Sequence, residues 1–91
     1  MLYPPAVTTL NYRALLVAVT KGASWTRTFE LRIPPFVGLG IRLDVYDMVN
    51  VESVVVGDAK FDVTCIVGPE PGRSFDADWL ERLGFEIAPY P

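Results

Sequence analysis

Acidic side chains are the first residues in this sequence that could do chemistry. Three groups of carboxylates stand close together: Asp44 with Asp47, Asp58 with Asp62, and Asp76 with Asp78 and Glu81. Paired carboxylates can share a proton in acid–base catalysis or bind a divalent cation. This spacing matches no calcium loop and no metalloenzyme pattern. The sequence therefore favours turn formers, helix caps and solvent-facing strand residues over a catalytic pair.

Cys65 is the single cysteine, and the chain has no histidine. A reactive cysteine needs a lowered pKa, whereas Cys65 lies between Thr64 and Ile66 in an apolar segment, where a free cysteine is usually buried. An intramolecular disulfide, a zinc site of Cys and His, and a histidine-activated nucleophile are all excluded within one chain. We therefore expect a core thiol, a protein that is not an enzyme, and no cofactor.

The glycine pair at Gly38 and Gly40 and the nearby arginines could bind a phosphate or a nucleic acid. A phosphate loop opens a helix, but these glycines follow Pro34-Pro35 and precede a predicted strand, so they predict a turn. Arg32 and Arg42 flank that loop, and small barrels bind single strands through basic grooves with aromatic side chains. Interleaved acidic residues, a net charge of −3 and a pI near 4.7 argue against a nucleic-acid partner.

The composition is that of a single globular domain. The chain has 91 residues, of which 51% are hydrophobic and 21% charged, and this composition excludes intrinsic disorder. The first long apolar run, residues 14–19, is too short to span a membrane, and no basic region precedes it. We expect a cytoplasmic protein with no membrane partner. The expected divisions are an N-terminal tail over 1–10, a β-sheet core over 11–67, a short helix over 74–84 and a tail over 85–91.

Alternating side chains predict the first hairpin. In residues 25–33, Trp25, Phe29, Leu31 and Ile33 share one face, which is typical of a half-buried antiparallel strand. Residues 11–20 could start a helix, but their β-branched side chains favour a strand that pairs with 25–33 through the loop 21–24. Pro34-Pro35 ends the hairpin, and Phe36 and Leu39 are expected to anchor the following loop in the core.

A second hairpin is predicted over residues 49–67, after a strand over 41–46. With a turn at 57–60, Val56 would lie opposite Phe61, and a slip of one residue would reverse the faces. Both faces of this hairpin are apolar in either register, so another element must cover the second face.

A C-terminal helix over residues 75–83 could provide that cover. Ser74 or Asp76 can cap its N-terminus, and Gly84 is placed for a left-handed C-terminal cap. Its apolar face consists of Trp79, Leu80 and Leu83. A short edge strand over 85–87 is left open.

Residues 12–87 resemble small uncharacterised β-rich proteins of bacteria and their phages. The segments that carry the resemblance are TFELRIPPFVGLGI, VESVVVGDAKFDVTCIV and WLERLGFEI. Where loops of that group read Pro-Phe-Val-Pro, this chain has Pro-Phe-Val-Gly over 35–38. The resemblance implies a bacterial or phage source and a small β-rich fold, and it implies no activity. If the chain is phage-encoded, the expected location is the host cytoplasm.

Together these features predict a mainly β (α+β) protein. The expected fold is a small antiparallel five-stranded sheet that curls into an SH3-like barrel, with one short C-terminal helix.

The expected function is that of a non-catalytic protein–protein interaction module, an adaptor or an inhibitor of a larger machine. One alternative is a self-assembling structural component of a phage particle or other complex, as a homodimer or higher oligomer. A second alternative is a barrel that binds single-stranded nucleic acid. Aromatic and arginine side chains are enriched at interfaces. The candidate contact residues are Trp25, Arg32, Phe36, Arg42 and Tyr46.

Overall fold

A single mixed β-sheet with one helix forms the fold. The computed structural model describes residues 11–57 and 61–88. The elements are β1 (Tyr12–Thr20), β2 (Ala23–Leu31), β3 (Gly40–Arg42), β4 (Met48–Val56), β5 (Val63–Pro69), α1 (Ala77–Arg82) and β6 (Glu86–Ile87). The strand order across the sheet is β3-β4-β5-β1-β2-β6.

The mainly β, α+β class predicted from the sequence is confirmed, and the arrangement of its strands differs from the expectation. The sheet has six strands rather than five, and β1 and β5 run parallel at its centre. Its outermost strands, β3 and β6, have three and two residues and lie at opposite edges, so the sheet is not closed into a barrel. Closure requires the first and last strands to pair along most of their length.

The first hairpin is built as the alternation predicts. Residues 12–20 form a strand rather than a helix, and Tyr12 pairs with Leu31 at one end and Thr20 with Ala23 at the other. The connecting turn is shorter than expected because only Lys21 and Gly22 lie outside the ladder. Gly22 has a φ of +88°, a conformation that glycine adopts without a steric penalty.

One face of the two parallel strands forms the core. Ala14, Leu16 and Ala18 of β1 are completely buried, and they lie beside Val63, Cys65 and Val67 of β5. We call this the core side of the sheet and the other the open side. On the open side Leu15, Val17 and Ile66 are only half-buried.

A β-bulge in β4 corrects the prediction that the second hairpin is apolar on both faces. The register shifts between Val51 and Ser53, so Val49 and Val51 lie on the core side together with Val54. Val56 pairs with Val63 instead of Phe61. The connection between β4 and β5 therefore spans residues 57–62 rather than the expected 57–60. A bulge inserts one extra residue and reverses the alternation beyond it.

Both ends of α1 are capped by the signals read from the sequence. The Asp76 carboxylate accepts a hydrogen bond from the Trp79 amide at 2.8 Å. At the other end the amides of Gly84 and Phe85 donate to the carbonyls of Glu81 and Leu80, each at 3.0 Å, and Gly84 has a φ of +87°. This pair of bonds is a Schellman motif, which stops the helix and directs Phe85 into the core.

The helix covers the core side of the sheet. Trp79, Leu80, Leu83 and Phe85 are at most 3% exposed and belong to the same core cluster as the central strands. Arg27 lies on the core side of β2, and its guanidinium donates to the Leu83 carbonyl at 2.6 Å. The polar head of Arg27 thus satisfies a helix-end carbonyl while its stem packs against the core.

Several sequence-based expectations concern residues outside the described part of the chain. These are the tail over 1–10, most of the turn over 57–60, and the last three residues of the tail over 85–91. The beginning of that second tail is corrected, because Phe85 is buried and residues 86–87 form the edge strand β6.

Leu80→Ala tests how far the fold depends on α1. Leu80 is completely buried, so its truncation should cost about 2–5 kcal/mol, a large share of the ~5–14 kcal/mol expected for a domain of this size. Urea unfolding followed by tryptophan fluorescence measures the loss. Glu81→Ala, at the exposed neighbouring position, should change the free energy of unfolding by less than about 0.5 kcal/mol. Equal losses in the two variants would contradict the packing described here.

Candidate protein-interaction surface

Exposed apolar side chains are concentrated on one side of the molecule. Of nine large hydrophobic residues exposed in the described part of the chain, six belong to β4 or to the segments that run along its outer edge. We call this surface the β3–β4 side. It consists of Phe36, Val37, Val45, Tyr46, Val55 and Val56.

The most exposed of these residues, Tyr46, lies next to Val45 at the tip of the loop between β3 and β4. Val45 is 72% exposed and Tyr46 is 87% exposed. The alternation over 41–46 predicts a strand with Val45 on its inner face, but β3 ends at Arg42 and the chain turns. Sequence reasoning therefore missed Val45 as a surface residue.

Hydrogen bonds fix the backbone of this loop. The Asp44 carboxylate accepts from the Tyr46 amide at 2.7 Å, and the Arg42 guanidinium donates to the Val45 carbonyl at 2.9 Å. The Asp47 carbonyl accepts from the Leu43 amide at 2.9 Å, closing the base of the loop. An Asp side chain that bonds the amide two residues on is a common way to build a turn. Tyr46 is thus presented by a loop with little conformational freedom.

Arg73 connects this loop to the core of the protein. Its guanidinium lies 3.9 Å from the centroid of the buried Trp79 ring and forms a salt bridge with the Asp47 carboxylate at 3.1 Å. Phe75 also packs against Trp79, with the two ring centroids 5.3 Å apart. The Arg73 side chain is 41% exposed, so its ion pair is weakened by solvent and the stacking on Trp79 contributes at least as much. No sequence motif marks Arg73 for this role.

A tight turn brings a second pair of apolar residues to the same side. The Leu39 amide donates to the Phe36 carbonyl at 3.0 Å, and the Gly38 amide donates to the Val51 carbonyl of β4 at 2.8 Å. Gly38 has a φ of +96°, so the predicted turn at the glycine pair is confirmed. Leu39 packs on the core as expected, whereas Phe36 is 55% exposed and does not anchor the loop.

The structure places the five contact residues predicted from the sequence in different environments. The prediction is wrong for Trp25, which is buried: it is 3% exposed, and its indole N–H donates to the Thr20 hydroxyl at 3.2 Å. Arg42 and Tyr46 belong to the same loop and Phe36 to the neighbouring turn. Arg32 is exposed and directly follows β2, which lies near the opposite edge of the sheet from β3 and β4.

Four of the carboxylates named from the sequence accept structural hydrogen bonds. Asp44 and Asp47 stabilise the loop just described, Asp76 caps α1, and Asp62 accepts from the Arg13 amide at 2.8 Å. Asp58 lies outside the described residues. Across residues 11–57 and 61–88, no three His, Cys, Asp or Glu side chains are grouped in a way that could hold a metal ion.

An apolar groove of about 370 Å³ lies beside the last residues of β4. Its lining residues are Tyr12, Pro34, Pro35, Val54, Val56 and Val63, with the polar Asn11 and Asp62. Two of these residues, Val54 and Val56, belong to β4, so the groove continues the apolar surface of the β3–β4 side onto the core side of the sheet.

Arg73→Ala should loosen the loop that presents Tyr46. Loss of the contact with Trp79 and of the partly exposed ion pair should lower the free energy of unfolding by about 1 kcal/mol. Amide hydrogen exchange at Leu43 should become faster, because its hydrogen bond closes the loop base. Arg32→Ala, at an exposed arginine away from the loop, is the matched control and should leave both quantities unchanged. An unchanged exchange rate in Arg73→Ala would show that the loop does not depend on Arg73.

Cys65 should not react with thiol reagents in the folded protein. The side chain is completely buried, and burial raises the pKa of its thiol above the ordinary value, which keeps the thiol protonated at neutral pH. Alkylation with iodoacetamide at pH 8, read by mass spectrometry, should be slow in buffer and rapid in urea. Equal rates in the two conditions would contradict the buried position.

Comparison with known proteins adds no family to these observations. No protein-family model matches the chain, and no curated protein or solved structure shows significant similarity to it. No helix in the described residues is long and apolar enough to cross a membrane. The candidate surface therefore depends on the geometry of the chain itself.

Proposed function

We propose that this chain is a non-catalytic protein-interaction module of bacterial or phage origin that acts in the cytoplasm. It binds another protein through the tip of the β3–β4 loop. The observation that carries this proposal is the exposure of Val45 and Tyr46 on a loop whose backbone is fixed by hydrogen bonds.

A fixed, exposed tyrosine is suited to anchor a protein contact. Tyrosine buries a large area with only two rotatable side-chain torsions, so it loses little conformational entropy on binding. The loop adds to this advantage because Asp44, Arg42 and Arg73 already hold it in one conformation before binding. Preorganisation of this kind strengthens binding by reducing the entropy lost on association.

The surroundings of Tyr46 indicate the kind of partner. Val45 makes the loop tip apolar, and Phe36 and Val37 add a second exposed apolar pair along the same edge. Arg42 and Asp44 provide one charge of each sign at the base of the tip. Such an arrangement, an apolar centre with a charged rim, fits a partner with an apolar pocket and a polar border.

The positions of the ionisable groups support a binding role over catalysis. The described aspartates of the loops and of the α1 cap accept structural hydrogen bonds, and Cys65 is buried with a raised pKa. Arg27 and Arg73 are engaged by the Leu83 carbonyl and by Asp47, which reduces the basic surface open to nucleic acid. A protein partner is therefore favoured over a nucleic acid.

Capture from a bacterial lysate with the immobilised chain tests the proposal. The expected result is a defined protein whose affinity falls at least about tenfold, or 1.4 kcal/mol, in Tyr46→Ala, because a central tyrosine anchor is lost. Val19→Ala removes an apolar side chain that is 59% exposed on β1, far from the loop along the sheet order, and should leave the affinity unchanged.

Two results would reject this proposal. One is a captured partner that binds the wild-type chain and Tyr46→Ala equally well. The other is the absence of any specific partner in a chain whose fold is intact by circular dichroism.

A further inference from the structure

Within residues 11–57 and 61–88, the outer edge of β4 is covered along only half of its length. β3 pairs with Met48–Asn50, and the turn that contains Gly38 and Leu39 bonds to Val51. Beyond the bulge, residues 53–56 pair with β5 on one side, and no strand of the described residues pairs with them on the other. We call residues 53–56 the free edge.

The backbone of the free edge can accept another strand. In an antiparallel ladder the N–H and C=O groups of alternate residues point to the same neighbour, so two of these four residues direct theirs away from β5. Valine at positions 54, 55 and 56 favours extended conformation and packs well in sheets.

The free edge has no feature that prevents pairing. Natural sheets protect their edges with charged residues, prolines, bulges or very short strands. The other long uncovered stretch of the described sheet, Arg27–Leu31 of β2, contains Arg27 and Glu30. Residues 53–56 contain no charge and no proline, and they are regular because the bulge comes before them.

Apolar surface extends from the free edge in both directions. Val55 is 54% exposed and Val56 is 76% exposed. On the core side, Val54 and Val56 line the groove that also contains Tyr12, Pro34 and Pro35. A strand added at this edge would bury these apolar side chains together with its backbone groups.

We propose that the free edge pairs with the same edge of a second copy of this chain, across a two-fold axis, to form a continuous sheet. Opposed residues in an antiparallel ladder share a face, so the axis passes between one residue and the same residue of the other copy. With the axis at Val55, Val55 lies opposite its own copy and Val54 lies opposite Val56. These contacts are apolar in both copies, and no like charges oppose each other within residues 53–57, although the chain carries a net charge of −3.

The occupant is a second copy because the edge is complementary to itself. An isologous contact requires one surface to match its own two-fold image, and a short uncharged run of valines does so. A charged peptide would find no counter-charge in this run. The inference concerns a different surface from the Tyr46 loop and does not depend on the function proposed above.

Light scattering across a dilution series of the purified chain tests the pairing. The mass should rise from 10.1 kDa to twice that value with concentration. Val55→Lys places two like charges directly opposite each other and should raise the dissociation constant at least about tenfold. Val19→Lys introduces the same charge at an exposed valine of β1 and should dimerise like the wild type.

Amide hydrogen exchange of residues 53–56 provides a second readout. Two of the four amides should gain protection as the concentration rises and lose it on dilution. A monomer at all concentrations would reject the proposal. So would a dimer that is unaffected by Val55→Lys, or edge amides that stay protected in a monomer, because the edge would then be covered by the chain itself.

The two proposals fail independently. Tyr46→Ala should leave the mass and its dilution curve unchanged, and Val55→Lys should leave the affinity of a single loop tip for a foreign partner unchanged. Loss of dimerisation in Tyr46→Ala would assign the self-contact to the loop and reject pairing at the free edge.

Discussion

Burial of the core side of β1 and β5 beneath α1 is the interaction on which the rest of the structure depends. A helix of six residues is too short to be stable alone, and a sheet of this size needs one face covered to exclude water. The two therefore form together. The sheet residues Ala14 and Ala18 are small, whereas the helix supplies Trp79 and Leu80, so large side chains on one layer meet space on the other. The same Trp79 that fills the core also supports Arg73, and Arg73 holds the loop that presents Tyr46.

This arrangement leaves apolar side chains exposed where the sheet ends. The helix and the segment from Arg32 to Leu39 lie on the core side, and neither covers the outer edge of β4 beyond Val51. Tyr46 and the free edge are exposed for different reasons: the loop is turned outward by the hydrogen bonds of Asp44 and Arg42, whereas the edge is exposed because β3 has only three residues. Both exposures cost solvation free energy in an isolated monomer, and the two proposed contacts would recover it.

Local signals in the sequence were sufficient for the elements whose cause is local. Strand alternation identified β2, and the caps at Asp76 and Gly84 identified α1, because each depends on residues within a few positions. The parallel pairing of β1 with β5 could not be predicted from local signals, because it joins residues about 50 positions apart in the sequence. The bulge in β4 was also missed, and one inserted residue was enough to move Val49 and Val51 to the other face. The exposure of the candidate contact residues was predicted in part for the same reason. Tyr46 and Phe36 are exposed loop aromatics, whereas the burial of Trp25 and the role of Arg73 depend on tertiary packing.

The two proposed contacts are compatible because β4 separates them. Tyr46 lies two residues before Met48, the first residue of β4, and Val55 lies seven residues after Met48. At about 3.3 Å per residue, the first residue of β4 lies roughly 23 Å from Val55, and the two loop tips of a dimer, which lie beyond that residue, would be more than about 45 Å apart at opposite ends. Neither tip would be covered by strand pairing. A partner with two binding sites at that separation, or an assembly that repeats them, would be held by both tips at once and would gain avidity without any new contact. Self-pairing at the free edge would then strengthen the recognition of a foreign protein by the loop tips, and the same chain would act both as an interaction module and as a component of a larger assembly.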